Sequence, residues 1–72
     1  MRIFLKITVF VLETKRGFLA EIPVVCGQYA EGKTWEELRQ QVKRIVENCY
    51  LTIPAKYVPP DGWREEEIIL EN

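Results

Sequence analysis

A chain of 72 residues, 47% apolar and 29% charged, has room for one small domain with a thin core, because a domain of this size buries only about 60% of its unfolded surface. Ten basic residues against eleven acidic ones leave a net charge of −1, which offers no cationic excess to a nucleic-acid backbone and sets direct nucleic-acid binding aside. The longest apolar stretch, IFLKITVFVL, is broken by Lys6 and too short to cross a bilayer, and Glu13 follows where a signal peptide needs small residues, so a cytoplasmic protein with no membrane association is expected.

The first element is RIFLKITVFVL. Ile3, Leu5, Ile7, Val9 and Val11 alternate with the mixed set Arg2, Phe4, Lys6, Thr8, Phe10 and Leu12. Period two with mostly β-branched residues predicts a strand whose one face is fully apolar and whose other face is half apolar. ETKRG is a polar hairpin loop that ends on Gly17, a residue able to take a positive φ. FLAEI is a second strand with Phe18, Ala20 and Ile22 on one face; Pro23 either ends its ladder or places it where a missing donor is tolerated. VVCGQYA is expected to be a short third strand with Gly27 at a bulge or a point of close approach, which completes an antiparallel meander.

TWEE then opens a helix. Thr34 is the predicted N-cap and Glu37, three residues on, completes a capping box, with Gly32 supplying the turn before it. Trp35, Leu38, Val42, Ile45, Val46 and Cys49 recur at three and four, while Glu36, Arg39, Gln40, Lys43, Arg44 and Glu47 take the other side. This is an amphipathic helix of about 16 residues whose apolar stripe matches the apolar face of the sheet. The stretch GQYAEGKT, residues 27–34, also matches the phosphate-loop expression letter for letter. A phosphate loop needs a parallel α/β domain with a downstream acidic strand, and this chain has one helix and an aromatic and an acid inside the loop, so a strand followed by a capped helix is the preferred reading.

The segment after the helix carries Pro54, Pro59, Pro60 and Gly62 and is read as a loop, followed by EEEIIL as a fourth strand with an acidic, edge-protecting start. Adjacent strand residues point to opposite faces, so its glutamates do not form a converging acid/base pair. With no histidine and only Cys26 and Cys49, no metal site, disulfide framework or nucleophile–base pair assembles; both thiols are expected buried and reduced, no cofactor is expected and no catalytic residue is assigned. The fold class is therefore α+β: a two-layer β-β-β-α-β domain over residues 1–72, a three-stranded antiparallel meander plus a C-terminal strand, with one helix on one face.

This order, with its Gly-x-Thr-x-Glu-Glu start to the helix, resembles the HicB-like antitoxin family of small bacterial and archaeal proteins. Gly17, Phe18, Ala20, Glu21 and Pro23 look like that family's first motif, and Gly27, Tyr29, Glu31, Gly32, Thr34, Glu36 and Glu37 like its second. The similarity covers roughly residues 3 to 50. Three positions depart from the pattern: Val24 replaces an acid, Cys26 a proline and Gln28 a cysteine. The resemblance implies a partial ribonuclease-H-like fold without that enzyme's metal-binding acids, and a non-enzymatic protein that binds and blocks a small RNA-cleaving toxin. Family members often carry a C-terminal DNA-binding region; none is expected within these residues, so operator binding is not carried over.

One helix covers one sheet face, and the other face is expected to expose Phe4, Phe10, Leu12 and Leu19 as an interface. Trp63, beside Pro59 and Pro60, either anchors a partner or folds back over the domain's own core. A homodimer, alone or together with a small basic toxin, is the expected partner set. A stand-alone homo-oligomer with a small-ligand or regulatory role is the second reading.

Overall fold

In the computed structural model, which describes residues 4–25, 28–53 and 58–71, the opening alternation becomes the longest strand, β1 (Phe4–Thr14). Thr14 pairs with Gly17 across a two-residue turn, and β2 (Gly17–Ile22) runs back antiparallel. Gly17 has φ +134°, a backbone state that only glycine takes without strain. Pro23 ends the ladder because it lacks the donor the next rung needs.

The expected third strand begins four residues late. Pro23–Val25 form one turn of 3-10 helix, and β3 spans Gln28–Gly32, pairing antiparallel with β2. The 3-10 turn points the Val25 side chain into the core, which an extended continuation of the chain past Pro23 would not do. Cys26 and Gly27, the position expected to bulge, lie outside the described residues.

Helix α1 (Trp35–Asn48) starts as its sequence predicts. Thr34 has an extended backbone, and its Oγ1 accepts the Glu37 N–H at 3.1 Å. The Glu37 carboxylate reaches one residue further back than the usual box and accepts the Lys33 N–H at 2.8 Å. Gly32 is required here by space: a Cβ on it would sit 2.5 Å from the Leu38 nitrogen, so the first helical turn is pressed against the end of β3. The helix stops at Asn48, whose side-chain amide donates to the Arg44 carbonyl at 2.7 Å. Cys49 is already extended and exposed, which corrects the expectation that it continues the apolar stripe as a buried thiol. Downstream, Thr52 donates both its N–H and its hydroxyl to the Val24 carbonyl, at 2.7 and 3.2 Å, and ties the segment after the helix to the 3-10 turn.

The last strand, β4 (Arg64–Glu71), pairs antiparallel with β1, giving the sheet order β3-β2-β1-β4. The longest and most apolar strand is thus an inner one. Ile7, Val9 and Val11, with Ile68 and Leu70 beside them and Ala20 and Ala30 on β2 and β3, face Leu38, Val42 and Val46 of the helix. The two alanines lie on the strands nearest the helix and let it approach them closely. Phe18 meets Trp35 edge-on at 5.6 Å along one border of this core.

Candidate interaction surface

The register decides which side chains share the face away from the helix. Tyr29 stands opposite Glu21, Glu21 opposite Phe10, and Phe10 opposite Glu65, one row across all four strands. A second row holds Glu31, Leu19 and Leu12. Towards the far end of β1 and β4 lie Thr8 with Glu67, Lys6 with Ile69, and Phe4 with Glu71.

Phe10 corrects the expectation of an exposed aromatic: it is 1% exposed, although it lies on the face without a helix. The described side chain placed to cover this face is Trp63. The chain approaches β4 through a turn in which the Trp63 N–H donates to the Pro60 carbonyl at 3.0 Å, with Gly62 at φ +87°, the positive value that a type II turn requires. The turn throws the indole back over the sheet, where its ring meets Tyr29 edge-on at 6.3 Å. Tyr29 is on the edge strand β3 and Trp63 leads into the opposite edge, roughly 14 Å away at the usual strand spacing. Rings this close must span the two inner strands, which places them over the Phe10 row. Leu12 and Leu19 are half-buried rather than open, while Phe4 stays 61% exposed with Ile69, at 51%, diagonally beside it. Of the five expected interface residues, Phe10 is buried, Leu12, Leu19 and Trp63 are half-buried on or over this face, and Phe4 stays exposed.

Tyr29 and Glu21 complete this group and were not singled out for it from sequence. Alternation within β2 and β3 puts each on the second face, but their rows were unknown without the pairing. Glu21 has one carboxylate oxygen, Oε1, buried without a hydrogen-bond partner among the described residues. The face as a whole is acidic. Among the described residues it carries Glu21, Glu31, Glu65, Glu67 and Glu71 against Lys6 alone, whose ammonium lies 3.7 Å from Glu67. Lys33, Arg39, Lys43 and Arg44 lie on or before the helix, and Lys15 and Arg16 form the hairpin turn. The rest of the described surface also carries Glu13, Glu36, Glu37, Glu47, Asp61, Glu66 and Arg64 and is close to neutral, so the excess negative charge sits on this face.

The stretch that matches a phosphate loop has different geometry. Gln28–Gly32 is a ladder strand, not a loop of free amides. The Lys33 and Glu37 N–H groups are taken by the Glu37 carboxylate and the Thr34 hydroxyl, so the chain's own acid occupies the anion position at the helix start. Beside it is an open cleft of about 560 Å³ lined by Arg16, Gly17, Glu31, Lys33, Glu37 and Gln41, two cations against two carboxylates. On the exposed helix surface, Glu36 accepts from the Gln40 side chain at 3.3 Å and from Arg39 at 3.0 Å, and these contacts lower its pKa, the Gln40 hydrogen bond most.

No helix among the described residues is long and apolar enough to cross a membrane. Compared with protein-family models, curated proteins and solved structures, the chain matches none.

Proposed function

We propose that this chain is a non-enzymatic binding module, a HicB-like antitoxin that neutralises an RNA-cleaving protein in the cytoplasm by direct contact. The observation that carries this reading is the acidic, aromatic-bearing sheet face, which suits a basic, RNA-binding partner because opposite charge steers association and fixes register. The ordered residues from Gly17 to Glu37 support it as a resemblance, and the strand order β-β-β-α-β agrees with it. Neutralisation by contact needs no nucleophile or metal, in keeping with a chain that has no histidine.

A homo-oligomer is the second reading, favoured by a separate observation. Tyr50, Leu51 and Ile53 follow the helix as exposed apolar side chains, more than ten positions before the glutamate-rich strand. A twofold contact there would leave the acidic face free. The experiment is co-production with the small basic protein encoded in an adjacent reading frame. A co-eluting complex and rescue of growth from that protein's RNA cleavage are expected; absence of both for either neighbouring product overturns the antitoxin reading.

A further inference from the structure

We infer that the sheet face away from the helix is a docking surface for a basic polypeptide, seated by an arginine side chain placed against Trp63, Tyr29 and the Glu21 carboxylate. This rests on reading the chain as a protein-binding module, but not on the partner being a toxin.

Three observations converge on that chemistry. Trp63 and Tyr29 present aromatic rings edge to face at 6.3 Å, both incompletely buried. In the same row as Tyr29, the half-buried Glu21 keeps Oε1 out of water with no donor among the described residues, a deficit that a partner's N–H would cancel once the Trp63 and Tyr29 rings part to admit it. Around the pair, Glu31, Glu65 and Glu67 extend the negative potential along the strands. A guanidinium is the side chain that uses all three: its plane stacks on an aromatic ring, its fork donates to a carboxylate, and its weak hydration makes burial tolerable. An ammonium satisfies the carboxylate but neither stacks nor forks.

The same charges argue against other occupants. A twofold contact through this face puts each patch on its own copy, so glutamates meet glutamates with only Lys6, already beside Glu67, to offset them. Nucleic acid and anionic lipid surfaces are repelled for the same reason. No three carboxylates or thiols among the described residues converge to hold a metal ion.

The test uses the full chain and three labelled probes: an arginine–serine repeat peptide and its lysine–serine and glutamate–serine counterparts, titrated by fluorescence anisotropy at low and at physiological ionic strength. The arginine peptide should bind, the lysine peptide more weakly and the glutamate peptide not at all. Glu21→Gln, nearly the same in shape, should weaken the arginine peptide about tenfold, the loss expected for a charge-assisted hydrogen bond. Should Glu21→Gln fail to fold, the double variant Glu65→Gln/Glu67→Gln tests the same face and should also flatten the salt dependence. The charge-matched helix-side pair Glu36→Gln/Glu47→Gln should leave affinity unchanged. Equal losses on both faces, equal binding of lysine and arginine peptides, absence of binding, or a homodimer whose contact excludes the peptide would each overturn the assignment. Toxin neutralisation that survives Glu21→Gln and Glu65→Gln/Glu67→Gln would overturn the face while leaving the proposed function intact. Peptide binding without any neutralised neighbour would do the reverse.

Discussion

Trp63→Ala separates an indole that covers its own sheet from one that exists only to meet a partner. Removing the ring takes away its edge-on contact with Tyr29, which contributes about 0.5–1.5 kcal/mol beyond area burial. If the indole is what covers Phe10, now 1% exposed, its loss also returns a buried phenylalanine to water at a cost of about 1.5–3 kcal/mol. The sum, about 2–4.5 kcal/mol, is a large share of the roughly 4–11 kcal/mol available to a 72-residue domain. Urea denaturation followed by Trp35 fluorescence measures it, since Trp35 packs against Phe18 on the opposite side of the sheet and stays in place. The midpoint should fall with little change in slope, and a Tyr29→Ala/Trp63→Ala double-mutant cycle should show a coupling of about 0.5–1.5 kcal/mol. A loss below about 0.5 kcal/mol, the range of a surface substitution away from any such feature, would refute the covering role. Phe10 would then owe its burial to something other than the indole.

Three further outcomes follow from the same geometry. Gly32→Ala should cost about 1–3 kcal/mol in thermal or urea unfolding, because its Cβ would meet the Leu38 nitrogen at 2.5 Å and backbone yields less readily than a side chain. Thr34→Ala should cost about 1 kcal/mol by the same assay, and neither the variant nor the parent chain should release heat with ATP in calorimetry; heat on adding ATP would revive a phosphate-binding role for residues 27–34. Glu36 should titrate below the ordinary glutamate range by carboxyl-carbon NMR, and Gln40→Ala should move its midpoint upward. Because the folded-state value is the lowered one, the stabilisation is complete above the unfolded value and is lost as pH falls through the folded one. An unchanged midpoint in Gln40→Ala would show that the amide is not the cause.

Residues close in sequence determined a good part of this protein by themselves. The alternation of Ile7, Val9 and Val11 set a strand and its buried face, Thr34 and Glu37 set the helix start, Gly17 set the hairpin, and Pro23 stopped the second strand. Each rests on interactions within a few residues, where the period of side-chain direction or one hydrogen bond decides the outcome. The tertiary structure alone decided what depends on distant partners. It put β4 beside β1 rather than β3, and made a 3-10 turn of Pro23–Val25 so that Val25 could enter the core. It also carried Trp63 over the second face to meet Tyr29, thirty-four positions earlier in the chain. Tyr29 shares its row with Glu21 and Phe10, so that last contact is made beside both. No local pattern encodes it, because it is the balance between the apolar area the thin domain still has to cover and the chain entropy of folding one loop back to cover it.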